Sequence, residues 1–310
     1  MGAKSNCERV VKDSRKQKGV KSFEGYLYIS PWLLGFLIFT AFPLFSSIWI
    51  SLTEWNLFSA PKFVGFANYS KLFSDPLFWQ ALKVTGKYVF ISVPLRLIIG
   101  FSLALLLNNK IVGMGIYRTI FYLPNVTSGV AVSLLWLWIF NPEFGILNAI
   151  LLKMGIVGPA WLMSETWALP AIIIMSLWTV GGSMIIYLAG LQGIPSQLYE
   201  AVDIDGGSWL AKLRNVTIPM MTPIVFYNLI MGIIGSFQVF TDAYIMTNGG
   251  PHNATLFYVL YLYRNAFQYF EMGYASALAW VLFLMTLGLT IVVFKSSPLW
   301  VYYEGEVKKG

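Results

Sequence analysis

Residues 166–241 read TWALPAIIIMSLWTVGGSMIIYLAGLQGIPSQLYEAVDIDGGSWLAKLRNVTIPMMTPIVFYNLIMGIIGSFQVFT. Two uncharged stretches, 166–199 and 215–241, enclose a short segment that holds all the charged residues of this region. A transmembrane helix needs roughly 20 mostly apolar residues, so each uncharged stretch is long enough to cross a bilayer. The region therefore predicts two membrane-spanning helices joined by a polar loop.

The same pattern recurs along the rest of the 310-residue chain. Further spans are predicted at 25–53, 88–107, 119–142 and 272–294, whereas the apolar stretch 145–152 is too short and predicts a re-entrant or surface segment. Apolar residues make up 57% of the chain, charged residues 11%, and the mean hydropathy is +0.66. Because soluble proteins contain about 25% charged residues, we expect an all-α integral membrane protein whose six transmembrane helices lie within 25–294.

The distribution of Lys and Arg predicts the orientation of the spans. If residues 1–24 lie in the cytoplasm, fourteen basic residues fall on that side of the membrane and six on the other. Cytoplasmic loops carry the excess of Lys and Arg, so we expect 1–24 to be a basic cytoplasmic segment and 295–310 a cytoplasmic tail. The first apolar stretch is too long for a cleavable signal and is expected to remain as an anchor.

Few residues in this chain are suited to catalysis or metal binding. Cys7 is the single cysteine and His252 the single histidine, and the predicted spans contain no Ser-His, Cys-His or paired-carboxylate arrangement. The sequence also lacks the Gly-x-x-x-x-Gly-Lys-Ser/Thr phosphate loop. We therefore expect no enzymatic activity, no metal and no bound cofactor. The net charge of +7 follows the predicted membrane topology, so it does not indicate a nucleic-acid partner.

The polar loop 192–219 predicts two short helices at the membrane surface. Ser196 is expected to cap the first helix, which ends at Gly206. A second helix is expected to start at Ser208 and to end near Thr217, before Pro219 opens the next span.

The first loop helix is predicted to bind a protein. Leu198, Ala201 and Val202 form an apolar stripe at spacings of three and four, and the other faces carry acidic residues. Helices that lie on lipid headgroups are usually rich in Lys and Arg, so a protein partner is favoured over the lipid surface.

This loop resembles the EAA loop of the membrane subunits of bacterial ATP-binding-cassette (ABC) importers. The matching residues are Glu200-Ala201-Val202, Asp205-Gly206 and Val216-Thr217-Ile218-Pro219. Val202 replaces the second Ala of the pattern, and Gly207 stands where Ala is usual. The stretches that resemble the sugar-importing, maltose-type branch are 117–124, 191–195, 247–251 with Thr255, and Phe267 with 273–277.

The resemblance implies a type I ABC importer permease fold in the bacterial inner membrane. Such a subunit pairs with a second homologous permease subunit and with two ATPase subunits, which bind ATP and Mg²⁺, while an extracytoplasmic binding protein delivers a sugar or oligosaccharide. The first loop helix would be the coupling helix, which docks on the ATPase. The residues expected to couple to the ATPase are Glu200, Ala201, Asp203, Asp205 and Gly206, and those expected to face the binding protein are Asn248, Gly249, Gly250 and Pro251.

Two predicted spans carry residues suited to a sugar pathway. The candidates are Met175, Trp178, Thr179, Gly182 and Ser183 on the fourth span, and Ser236 and Gln238 on the fifth beside Gly232 and Gly235. Aromatic faces and hydrogen-bonding side chains are typical of carbohydrate sites. Small residues also allow membrane helices to pack closely, so helix packing is an equally good explanation of the glycines.

Arg96 is the one basic residue well inside a predicted span. Intramembrane charges usually face a cavity or a partner, so Arg96 is expected to hold an acidic sugar, to pair with an acid of the companion subunit, or to snorkel. The family branch favours a neutral oligosaccharide, followed by an acidic one such as an oligouronate or alginate, and then a sugar or polyol phosphate. The alternative from another class is a secondary transporter, which would show internal repeats and ion-binding groups at the midplane.

Overall fold

The structure, a computed structural model, describes residues 25–109 and 112–302. Its main helices, labelled here in chain order, are α1 (Gly25–Ser51), α2 (Ala67–Ser74), α3 (Pro76–Leu107), α4 (Met114–Val126), α5 (Gly129–Ile139), α6 (Ile146–Lys153), α7 (Ala168–Trp178), α8 (Gly181–Gly193), α9 (Ser196–Ile204), α10 (Trp209–Phe237), α11 (Thr241–Met246), α12 (Tyr258–Tyr263) and α13 (Met272–Trp300). A small antiparallel hairpin follows α1 and consists of β1 (Thr53–Glu54) and β2 (Lys62–Phe63).

Within residues 25–109 and 112–302, the candidate membrane spans are four single helices and two bent pairs. α1, α3, α10 and α13 are each long and apolar enough to cross a bilayer, whereas α4 with α5 and α7 with α8 pass this test only as pairs, bent by 100° and 43°. Counting each pair as one span gives the predicted six. The stretch 145–152, predicted to be a re-entrant or surface segment, forms the short helix α6, which contains no buried residue.

The second span begins earlier than predicted. Asp75 caps α3 by accepting a hydrogen bond from the N–H of Leu77 (2.9 Å), and Pro76 occupies the first turn, where its missing N–H is not needed. The predicted start at Tyr88 was wrong because α3 continues past the charged residues Lys83 and Lys87, at which the uncharged stretch stops.

The third span is not the single helix that its uncharged sequence predicts. α4 ends at Val126, and the next two residues, Thr127 and Ser128, have extended backbone with ψ of 142° and 133°. Two extended residues between helices redirect the chain, so α5 leaves at 100° to α4. The uncharged stretch 119–142 therefore forms a bent pair.

The break in the fourth span lies where α8 meets α4. A Cβ atom at Gly181 would lie 2.2 Å from the carbonyl oxygen of Phe121 and 2.8 Å from the Cα of Tyr122. Carbon atoms normally stay about 3.5–4.0 Å apart, so glycine is required at this contact. The bent third and fourth spans therefore hold each other through backbone atoms.

The packing of the bundle is centred on α3. This helix contacts α7, α8 and α10, and its buried residues include Val89, Val93 and Ala104. α1 lies at the edge, where it packs on α13, and the indole nitrogen of Trp280 donates to Ser47 Oγ (3.0 Å). The remaining apolar surface of α1 is exposed in this single chain.

Candidate functional site

The loop between α8 and α10 forms the predicted short helix, α9, with a sharp end. Gly206 has φ of +72°. Its N–H donates to the carbonyl of Asp203 (3.0 Å), and the N–H of Gly207 donates to the carbonyl of Val202 (2.8 Å). Together the two bonds form a Schellman motif, which satisfies free carbonyls at a helix C-terminus. The predicted turn at Gly206 is confirmed.

The two positions at which this loop departs from the EAA pattern contact each other. A Cβ atom at Gly207 would lie 2.4 Å from Cγ1 of Val202 and 2.9 Å from the Val202 carbonyl oxygen. Val202 therefore occupies the space that an alanine methyl group at position 207 would need. The larger residue at one position and the smaller residue at the other compensate each other.

The second helix of the loop is longer than predicted. Ser208 caps it by accepting from the N–H of Ala211 (3.4 Å), as expected. The predicted end near Thr217 was wrong, because the helix passes through a π-helical turn at Leu213–Thr217 and continues as α10. Pro219 does not interrupt it, since a proline at the start of the following α-helical turns is tolerated.

The predicted cap of the first helix was also wrong. Pro195 occupies the N-cap position of α9, and Ser196 is already the first helical residue. No side chain caps this end of the helix.

Two side-chain contacts join α9 to α10. The hydroxyl groups of Tyr199 and Thr217 are 3.1 Å apart, and Nζ of Lys212 lies 2.6 Å from the carboxylate of Asp203. Partly exposed ion pairs contribute at most about 1 kcal/mol, but the two contacts together fix the orientation of α9. The coupling candidate Asp203 is thus held within the loop, and α9 is attached to the base of α10.

The opposite side of α9 is open. Ile204 is 87% exposed, and Leu198, Glu200 and Ala201 are exposed too. Within residues 25–109 and 112–302, the carboxylate of Glu200 forms no hydrogen bond or ion pair. Asp205, at the C-cap, is also exposed. This face presents apolar side chains beside free carboxylates.

A pocket of about 210 Å³ lies between α3, α8 and α10. It is lined by Val93, Arg96, Leu97, Ser183, Asn228, Met231, Gly232 and Gly235. Arg96 is eleven residues before the end of α3 at Leu107. That corresponds to ~16 Å at a rise of about 1.5 Å per residue, or about half of a ~30 Å hydrocarbon core. The pocket therefore places a guanidinium near the midplane of the predicted membrane.

The guanidinium of Arg96 has no partner in the described part of the chain, where it forms neither an ion pair nor a hydrogen bond. The carboxylate of Asp242 instead accepts a hydrogen bond from Ser133 Oγ (3.0 Å). Asn228, 7% exposed, donates its amide nitrogen to the carbonyl of Ile224 (2.9 Å). Asn228 is not among the predicted site residues, although an amide side chain inside an apolar span is a recognisable signal.

Residues at the break of the fourth span brace the helices. The side-chain amide of Asn125 lies between α7 and α8, with its nitrogen 2.9 Å from the carbonyl of Thr179 and its oxygen facing the N–H of Gly182. Trp178 is 40% exposed and packs edge-to-face on Trp136 at a centroid distance of 6.0 Å. Thr179 and Gly182 therefore have a structural role here, and Trp178 keeps an exposed ring.

The other predicted pathway residues lie outside the pocket. Met175 is buried in a cluster with Val132, Ala171 and Met246, so it packs the core. Ser236 is 1% exposed, and its hydroxyl has no hydrogen-bond partner among the residues that the structure describes. Gln238 is exposed at the end of α10. The structure thus brings Arg96 and Ser183 together, and it separates from them Met175, Trp178, Thr179, Gly182, Ser236 and Gln238.

The turn Asn248-Gly249-Gly250-Pro251 follows α11 and accepts hydrogen bonds from two side chains. Arg264 donates to the carbonyl of Asn248 (2.5 Å), and the buried hydroxyl of Thr255 donates to the carbonyl of Gly250 (2.6 Å). Gly249 has φ of +80°. The turn also borders a groove of about 430 Å³ lined by residues from α5 and from the segment after α6.

Asp75 ties three elements together at the start of α3. Its carboxylate accepts hydrogen bonds from the hydroxyl groups of Tyr261, on α12, and Tyr274, on α13 (2.8 Å for Tyr274). Burial of the carboxylate opposes ionisation, but the hydrogen bonds from both tyrosines and from the N–H of Leu77 outweigh it, so the pKa of Asp75 is lowered. None of these three side chains is among the predicted site residues.

Comparison with known proteins places this fold and loop in one family. The family described as binding-protein-dependent transport system inner membrane component matches residues 96–296. The chain belongs to this family. The probable ABC transporter permease protein YesP of Bacillus subtilis is 44% identical over 94% of this chain and 96% of its own length. The trehalose/maltose transport system permease protein MalF of Thermococcus litoralis is 36% identical over 87% of this chain and 92% of its own.

A solved structure agrees with the fold of this family. The structure described as a bacterial ABC transporter involved in the import of the acidic polysaccharide alginate matches with a TM-score of 0.80, over 92% of this chain and 98% of that chain. At 24% identity this is a likeness of fold. The predicted type I importer permease fold and the predicted class of multi-pass ABC permease are both confirmed.

Proposed function

We propose that this chain forms half of the translocation pathway of an ABC importer for a sugar or oligosaccharide. The observation that carries the proposal is the attachment of α9 to α10 through Tyr199 and Asp203, because α10 also lines the Arg96 pocket. A partner that moves α9 would thus act on the pocket. The relatives named as sugar-system permeases support the class of solute.

The proposed complex contains four kinds of chain. A second homologous permease subunit would complete the pathway, and two ATPase subunits would bind ATP and Mg²⁺ and supply the energy. An extracytoplasmic binding protein would deliver the solute to the surface around residues 248–251. This assembly requires α9, both termini and the ATPases to lie on the cytoplasmic side of the bacterial inner membrane, as the excess of Lys and Arg there supports.

The open face of α9 would dock on the ATPase. Glu200 has no partner within the chain as described and is expected to meet a basic residue there, while Ala201 and Ile204 supply apolar contact. Asp203 would keep α9 on α10, and Gly206 would set the end of the helix, with Asp205 beside it. Losing one member of a charge pair at a desolvated interface costs roughly 2–5 kcal/mol, enough to weaken docking.

The test is reconstitution with the chains encoded by neighbouring genes. The complex in proteoliposomes is expected to hydrolyse ATP faster and to accumulate sugar when the loaded binding protein is added. Glu200→Lys should abolish this stimulation, whereas Glu54→Lys makes the same charge change at an exposed position of strand β1, outside the groove beside residues 248–251, and should leave it intact. Normal stimulation and normal ATPase retention with Glu200→Lys would refute the docking role.

The same preparation separates this function from that of a secondary transporter. A secondary transporter would take up solute without ATPase subunits, driven by an ion gradient. Uptake by this chain alone, abolished by an ionophore and unaffected by removal of ATP, would overturn the importer assignment.

A further inference from the structure

We infer that the pocket at Arg96 binds the anionic group of an acidic sugar, an inference that rests on the proposed function. The inference is supported by the burial of Arg96 without a direct partner, by the polar groups opposite it, and by the size of the pocket.

The first observation is the isolation of the charge. Arg96 is partly buried and lies ~16 Å from the nearer end of α3, too deep for its side chain to reach the membrane surface. In the described ranges no carboxylate lies within ion-pair distance of it. The carboxylate of Asp242 interacts with it only at longer range and accepts its hydrogen bond from Ser133. A guanidinium carries five N–H donors in a planar fork. At this depth those donors need an acceptor that the described chain does not supply.

The second observation is the chemistry of the pocket walls. Ser183 and Asn228 face the same pocket as Arg96, and both already use a donor on the backbone, to the carbonyls of Val180 and Ile224. The Ser183 oxygen can still accept, and Asn228 keeps its Oδ1 acceptor and one N–H donor, for neutral hydroxyl groups of a sugar. Gly232 and Gly235 have no side chains to fill the pocket on the α10 side. A Cβ atom at Gly235 would have no described atom within 4 Å. Arg96 is therefore the group that selects for charge, while its neighbours suit any sugar ring.

The third observation is size. At about 210 Å³ the pocket is smaller than the roughly 300–1,000 Å³ of a complete ligand site. It fits one charged group with part of its ring, and the companion subunit would enclose the remainder of the solute. A carboxylate and a phosphate both match the guanidinium fork in two-point hydrogen bonds. The proposed ligand class is thus a uronate oligosaccharide or a sugar phosphate, and the test contains one arm for each.

The experiment measures binding to the purified complex of both permease subunits and the ATPases, without the binding protein. The probes are a mannuronate trisaccharide with its neutral methyl ester, and glucose 6-phosphate with glucose. Dissociation constants come from the concentration dependence of the thermal midpoint. One acid of the two pairs is expected to bind at least about 10-fold more tightly than its neutral counterpart, since a hydrogen bond to a charged group is lost in the neutral form.

Variants assign this preference to Arg96. Arg96→Gln should weaken binding of that acid by about 10- to 100-fold and leave the neutral counterpart unchanged. Arg96→Lys keeps the positive charge but loses the planar guanidinium, so it should retain part of the preference for the acid over its neutral counterpart. Lys87→Gln is the matched control, because Lys87 is an exposed cation on the same helix outside the pocket.

Three results would overturn the inference. One is equal binding of acid and neutral probe by the wild-type complex, or no binding of either acid. Another is an acid preference that survives Arg96→Gln. The third is loss of the companion subunit from the Arg96→Gln complex, which would assign Arg96 to an intersubunit ion pair. Each of these leaves the importer function standing if binding-protein-dependent sugar uptake is normal, whereas absence of any sugar uptake by the wild-type complex would overturn both.

Discussion

Replacing Gly207 with alanine should damage the turn that ends α9. The added methyl group would lie 2.4 Å from Cγ1 of Val202 and 2.9 Å from the Val202 carbonyl oxygen, which also accepts the 2.8 Å hydrogen bond from the N–H of residue 207. Insertion of one methyl group into a filled space typically costs about 1–3 kcal/mol. We expect the free energy of local opening of the turn to fall by about that amount. Protection of its amides against hydrogen exchange should then decrease roughly 5- to 150-fold.

Hydrogen exchange of the loop in the intact complex measures this directly, because the amides of Gly206 and Gly207 report the two Schellman bonds. The double variant Val202→Ala/Gly207→Ala should recover part of the loss, since it removes the closer contact but keeps the one with the carbonyl. Gly193→Ala adds the same methyl group where nothing lies within 4 Å, and it should leave exchange nearly unchanged. Full protection in Gly207→Ala, or no recovery in the double variant, would show that Val202 and Gly207 do not compensate each other.

Three further predictions concern the loop, the fourth span and the start of α3. Glu200→Lys should reduce solute-stimulated ATP hydrolysis more than Glu200→Ala, because it adds repulsion to the lost attraction; equal activities would argue against a basic partner. Trp178→Ala should lower uptake at limiting solute without loss of assembly, since its exposed ring is suited to stacking on a sugar, and unchanged uptake would leave it a packing residue. Asp75 has a pKa below its ordinary value of 3.8 when folded, so its contribution to stability is present above that pH and is lost as the pH falls through the lowered pKa. The thermal midpoint should therefore drop on acidification below about pH 4, and Asp75→Asn should flatten that drop; an identical pH profile in the variant would contradict this.

The spans were predictable because hydropathy alone determines which segments enter a bilayer. The bends were not, since the uncharged stretches 119–142 and 166–199 run through both bends without a charged residue. The contact of Gly181 with the backbone of Phe121 is tertiary and leaves no mark in the hydropathy. The start of α3 could have been predicted from Asp75-Pro76, a helix cap followed by a first-turn proline. It was missed because the span was defined as an uncharged stretch, which begins only after Lys87.

The site residues were predictable where their type is unusual for the surrounding sequence. Arg96 is recognisable as a lone charge in an apolar stretch, and the α9 loop carries local turn and helix signals. The stripe from Met175 to Ser183 failed for a geometric reason. Spacings of three and four place residues on one face only within a continuous helix, and the chain bends by 43° between Trp178 and Gly181. Met175 therefore points into the core while Ser183 reaches the pocket.

Because α10 is continuous, it fixes the orientation of the α9 loop relative to the Arg96 pocket. From Trp209 to Phe237 it has 29 residues, or ~43 Å at a rise of about 1.5 Å per residue. A tilt of about 5° at the Trp209 end therefore displaces the far end by ~4 Å, on the scale of a whole side chain. Each residue also turns the helix by about 100°, so one residue inserted between Thr217 and Asn228 would rotate the pocket wall by more than a quarter turn relative to α9. The number of residues in α10 thus sets both the distance and the relative rotation between the α9 loop and the Arg96 pocket.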